Sequence, residues 1–184
     1  NNNFIIIEYI NGQTLNKIDM KDLNASEVIS IIFELIVIVE YFHSKNLIYR
    51  DLKPNNIMID SNKNVVLIDF DRLIPVKYDS DLTTDFQLEY AAPEIQKGEV
   101  SIKSDSYSLG KIINYIIDKK KIKTLSDSQN ATLDYIIKNC ICEDPTKRFL
   151  IIDMFFLFYK SFNEMININI DHFPDACFIL GFFF

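Results

Sequence analysis

The chain has 184 residues, 48% of them hydrophobic and 24% charged, with a formal net charge of −7. That size and balance suit one folded domain with a substantial core. The acidic charge argues against a general binder of nucleic acid or anionic membranes, and no apolar run reaches the ~18 residues of a membrane span.

The first element is the β-branched run Phe4-Ile5-Ile6-Ile7-Glu8-Tyr9-Ile10, which reads as a buried strand ending at the turn signal Asn11-Gly12. The opening residues have no basic n-region and do not read as a secretory signal. Asn24 or Ser26 can cap a helix with Glu27 in its first turn, extending to about Ser44. Its residues Val28, Ile29, Ile31, Ile32, Phe33, Leu35, Ile36, Ile38 and Val39 surround most of the axis, as in a helix buried on several sides.

Next come Tyr49-Arg50-Asp51-Leu52-Lys53-Pro54-Asn55-Asn56 and, thirteen residues after Asn56, Asp69-Phe70-Asp71. Between them, Met58-Ile59 and Val65-Val66-Leu67-Ile68 read as short strands joined by a turn over residues 60–64. Residues 79–85 are polar and read as a surface loop. Ala92-Pro93-Glu94 follows, then a helix over roughly 105–118 with Asp105 as its expected cap and Ile112, Ile113, Ile116 and Ile117 inward.

Residues 119–130 are polar and leave little room for a helix, and Thr132 to Cys142 reads as one. Asp144-Pro145-Thr146-Lys147-Arg148 comes after it. The apolar residues 149–162 are broken by Asp153 and Lys160. Cys140, Cys142 and Cys177 are odd in number and lack a His cluster, so they read as reduced thiols of a cytoplasmic protein.

Taken in order, these motifs resemble those of the eukaryotic protein kinase family over roughly residues 4–160. Residues 49–56 are similar to the catalytic loop H-R-D-L-x-x-x-N, with Tyr49 for His. Asp69-Phe70-Asp71 is similar to D-F-G, with Asp71 for Gly. Ala92-Pro93-Glu94 is similar to A-P-E. The resemblance implies an α+β, mainly α fold: the large lobe of a kinase, with a hinge strand and a short β-hairpin. It divides the chain into a kinase domain at 1–163 and a tail at 164–184. Within the tail, residues 173–182 are similar to part of a Sel1-type helical repeat, a candidate surface for protein partners.

The implied activity is serine/threonine phosphorylation of a protein substrate with ATP and Mg²⁺. Asp51 would take the hydroxyl proton, Lys53 would face the transferring phosphate, and Asn56 and Asp69 would hold the metal. Ile7, as gatekeeper, and Glu8, Tyr9 and Ile10, as hinge, would lie against the adenine. Tyr49 would stack on Phe70. Asp105 would hold the catalytic loop's backbone, Arg148 would pair with Glu94, and Arg50 would meet a phosphate on Ser80, Thr83 or Thr84.

Asp71 removes a glycine's backbone freedom, and Gln87 stands where serine/threonine kinases carry Thr. No Gly-rich loop, V-A-I-K lysine or partnering helix Glu is found. The expectation is therefore a truncated domain with little activity by itself. The alternative reading is a pseudokinase or scaffold module.

Overall fold

The computed structural model describes residues 8–77, 89–120, 122 and 124–167. The expected strand residues 4–7, with Ile7, lie outside them, as do Ser80, Thr83, Thr84, Gln87, Cys177 and residues 173–182.

Residues 8–11 have no regular structure, and the first strand, β1, is Gly12–Thr14. It lies where Asn11-Gly12 read as a turn. It pairs antiparallel with β3, Ile57–Asp60, Gly12 opposite Asp60 and Thr14 opposite Met58. A Cβ on residue 12 would sit 2.3 Å from the Ile59 carbonyl oxygen, so this glycine serves a close strand approach and not a reversal. The hairpin expected from Met58-Ile59 and residues 65–68 is present: β3 pairs with β4, Val65–Leu67, and Ile57 is opposite Leu67.

Helix α1 spans Ala25–Ser44. Its capping box is reciprocal: Asn24 Oδ1 accepts from the Glu27 amide at 2.9 Å, and the Glu27 carboxylate accepts from the Asn24 amide at 2.7 Å. Many of its residues are β-branched, so its stability comes from tertiary packing rather than propensity. That packing is supplied by α4, Ile151–Phe162, whose buried Phe155 and Phe158 set their rings 5.3 and 6.2 Å from that of Phe33. The apolar run at 149–162 is thus one wall of the core. Among the described residues no helix is long and apolar enough to cross a membrane.

Helix α2 is Ile102–Lys120. Its first turn is capped by Ser101, whose hydroxyl accepts from the Lys103 amide at 3.2 Å, and not by Asp105 as expected. Ile112, Ile113 and Ile116 are fully buried and Ile117 partly so. Helix α3 is Asp127–Cys140. It starts five residues before the expected Thr132 and ends two before Cys142. The missed signal is Ser126-x-x-Gln129, a capping box in which the Ser126 hydroxyl accepts from the Gln129 amide at 3.2 Å. A Cβ on Gly110 would lie 2.5 Å from Cys140 Cβ, which shows how closely α2 and α3 approach. Burial pushes the Cys140 thiol up to about 12, so it is inert packing.

Within α1, Glu34 is only 3% exposed and its carboxylate accepts the Val65 amide of β4 at 2.7 Å. Burial, against that hydrogen bond, raises its pKa from 4.5 to about 7. A raised acid stabilises the fold while the proton stays on. That contribution declines as pH rises from about 4.5, where the unfolded chain ionises, to about 7, where the folded chain does. Glu34→Gln keeps an acceptor for Val65 but cannot ionise. Relative to the parent, it is expected to gain on the order of 2–3 kcal/mol in urea unfolding between pH 5 and pH 8. Parallel pH dependence in the two proteins would contradict this.

Candidate active site

The segment between α1 and β3 carries the motif residues. Strand β2, Leu47–Ile48, pairs antiparallel with β5, Ile74–Pro75, and so anchors both ends of the region 49–73. After β2 the chain enters a turn with Arg50 at φ 69°, a left-handed conformation that costs a non-glycine residue on the order of 1 kcal/mol or more. Asp105 compensates. It is 0% exposed, and its carboxylate accepts the Tyr49 and Arg50 amides, each at 2.8 Å, and lies 2.9 Å from His43 Nε2. The expected hold of Asp105 on this backbone is therefore present.

Asp51, Lys53 and Asn56 are brought together. Lys53 Nζ and Asn56 Nδ2 donate to the same oxygen, Asp51 Oδ2, at 2.8 and 2.9 Å, and Asn56 Nδ2 also donates to the Asp51 carbonyl at 3.0 Å. Among the described residues, no donor falls on Asp51 Oδ1. One carboxylate oxygen thus takes both side-chain donors and the other takes neither. Both hydrogens of the Asn56 amide face Asp51, so its oxygen is the atom left for a cation.

Asp69 is exposed, with φ 66°, and follows Ile68, whose amide donates to the Asn56 carbonyl at 3.0 Å. This backbone bond sets the Asp69 residue beside the Asn56 strand end. A carboxylate and an amide oxygen are hard donors and fit Mg²⁺, which keeps few protein ligands beside phosphate and water. Among the described residues there is no group of three or more His, Cys, Asp and Glu that could hold a metal ion.

The positive φ belongs to Asp69 and not to Asp71, so this backbone makes no demand for glycine at residue 71. Tyr49 meets Phe70 edge-to-face, with ring centroids 5.7 Å apart at 87°, and not by stacking. The Tyr49 hydroxyl donates to the Ile68 carbonyl. Burial, together with Asp51, Asp69 and Asp105, pushes its phenol up, so it remains a donor. Phe70 is 47% exposed. Arg50 is buried, and its Nε donates to the Arg72 carbonyl.

Of the expected adenine-side residues, Glu8 and Tyr9 are exposed, Tyr9 by 86%, and Ile10 is half-buried. Among the described residues, none of the three bonds to Asp51, Lys53, Asn56 or Asp69. Arg72 was missed: its Nε lies 3.8 Å from Asp51 Oδ2.

Beneath this region, Arg148 grips Glu94 through two bonds, Nη1–Oε1 at 2.6 Å and Nη2–Oε2 at 2.8 Å, as expected. Burial would raise the Glu94 carboxyl, but the Arg148 guanidinium and the Ser104 hydroxyl outweigh it and hold it below its ordinary range. Arg148 also donates to the carbonyls of Cys142 and Glu143 at 2.6 and 2.9 Å. Arg148→Met is expected to cost about 3–5 kcal/mol in urea unfolding, because Glu94 is left buried without its cation. Adding Glu94→Leu should recover most of that loss. A single variant as stable as the parent would contradict this.

Comparison with known proteins gives a match to the protein kinase domain over residues 1–132. Serine/threonine-protein kinase D of Synechocystis is 30% identical over 169 residues, covering 79% of this chain and 33% of that protein. The cAMP-dependent protein kinase type 3 of Saccharomyces cerevisiae is 31% identical, covering 79% of this chain and 41% of that protein. The dual specificity protein kinase zak2 of Dictyostelium discoideum is 32% identical, covering 79% and 25%. The chain thus spans between a quarter and about two-fifths of the length of these relatives.

Proposed function

This chain belongs to the protein kinase family, and on that footing we propose that it carries the large lobe of a serine/threonine kinase catalytic domain that phosphorylates a protein hydroxyl. The observation that carries the reading is the convergence of Lys53 and Asn56 on one oxygen of Asp51. Asp51 Oδ2 is held, and Oδ1 accepts the proton of the incoming hydroxyl as it attacks phosphorus. The Lys53 ammonium lies at the same carboxylate, where it steadies both the base and the charge on the transferring group. Asn56 and Asp69 would hold Mg²⁺. Mg·ATP, when bound, supplies the phosphoryl group and screens its charge. Residues 8–10, with Ile7, would face the adenine through hinge backbone groups.

In the same reading residues 1–163 form the kinase unit. Residues 164–184 form a tail in which residues 173–182 are part of a Sel1-like repeat that recruits protein partners, and the protein acts in the cytoplasm. The acidic net charge favours protein partners over nucleic acid or anionic lipid. The scaffold alternative draws its support from Asp71 and Gln87; the backbone at residue 71 gives it none.

The test uses the full polypeptide that contains this chain, with radiolabelled ATP, Mg²⁺ and myelin basic protein as acceptor. Asp51→Asn is expected to lower transfer by about 100-fold or more while leaving the thermal midpoint near that of the parent. Equal transfer by the two proteins would remove Asp51 from the reaction. No transfer by the parent, with Mg·ATP still bound, would favour the scaffold.

A further inference from the structure

Arg72 belongs to none of the motifs discussed above, yet it closes a circuit of contacts around Asp51. The turn over residues 70–73 is fastened by the Leu73 amide donating to the Phe70 carbonyl at 3.0 Å. It is followed directly by β5, which pairs with the strand leading into Asp51. Arg50, adjacent to Asp51, reaches across with its buried side chain and donates from Nε to the Arg72 carbonyl. The Arg72 side chain returns, its Nε 3.8 Å from Asp51 Oδ2. That separation is too long for a hydrogen bond and is that of a charge contact. It falls on the same oxygen that takes Lys53 and Asn56. The path therefore runs from Asp51 through the Arg50 backbone and side chain to residue 72, and back to Asp51 through the guanidinium.

We propose that Arg72 is a positioning residue for the Asp51 carboxylate, resting on the kinase reading above. Its cation keeps Oδ2 turned toward Lys53 and Asn56, so that Oδ1 stays presented to the acceptor hydroxyl. It makes that orientation depend on the segment just after Asp69 being in place. The planar guanidinium suits a fixed approach to a carboxylate. The Arg72 side chain is 31% exposed, so solvent screens the contact and the expected effect is moderate.

The experiment compares the parent, Arg72→Gln and Arg72→Lys in the full polypeptide, each with Asp51 and with Asp51→Asn, using Mg·ATP and myelin basic protein. Arg72→Gln is expected to lower kcat about 10-fold with KM for ATP unchanged, and Arg72→Lys to restore most of it. With Asp51→Asn present, Arg72→Gln should cost nothing further. An unchanged kcat, or an equal loss in both backgrounds, would overturn the proposal.

A second readout does not need turnover. In protein carrying ¹³C-labelled aspartate carboxyls, the Asp51 signal is identified by its loss in Asp51→Asn. It should move in Arg72→Gln and return toward the parent position in Arg72→Lys. A signal unmoved by Arg72→Gln would overturn the proposal even where no phosphotransfer is detected, an outcome that counts separately against the kinase reading.

Discussion

The buried carboxylate of Asp105 organises the site. It takes the Tyr49 and Arg50 amides and lies against His43, so α2 holds in place the turn that follows β2 and the end of α1. Without that acceptor, two amides would be left in the interior, each at a cost of about 1–3 kcal/mol. Arg50 would also lose the bond that offsets its left-handed backbone. Asp51, Lys53 and Asn56 follow within six residues of Arg50, so their convergence depends on that turn.

The supports of this arrangement come from separate parts of the chain. Helix α2 supplies Asp105, and its packing is set by Gly110 against Cys140 of α3. Helix α4 fixes α1 through Phe155 and Phe158 on Phe33, and α1 in turn reaches the β3–β4 hairpin through Glu34 and Val65. The open end of the hairpin carries both Asn56, just before β3, and Asp69, just after β4, tied by the Ile68 amide on the Asn56 carbonyl. The Arg148–Glu94 pair sits against the first turn of α2, joining the segment after α3 to the segment entering α2. Replacing such a buried pair by apolar residues is often neutral for stability, whereas removing one partner leaves an uncompensated buried charge.

Much of this was legible in the sequence because it is encoded locally. The start of α1 near Asn24, the β3–β4 hairpin and the ordered motifs at 49–56, 69–71, 92–94 and 144–148 all lie in short stretches with defined chemistry. What escaped depends on contacts between distant residues. Gly12 reads as a turn residue until Ile59 is placed against it. Nothing around Glu34 announces that its carboxylate meets an amide 31 residues away. Ser126-x-x-Gln129 was a readable signal, masked by the polarity of the stretch before it. Arg72 sits in a position with no motif, and only the fold brings it to Asp51.

The most direct test of this account is site-resolved amide hydrogen exchange in the parent and in Asp105→Ala. The Tyr49 and Arg50 amides should be strongly protected in the parent. They should lose that protection selectively in the variant, while buried α1 amides such as those of Ile32 and Phe33 stay protected. If Tyr49 and Arg50 exchange rapidly in the parent, or keep their protection without Asp105, the turn is held by something else and Asp105 is not the constraint on which the site depends.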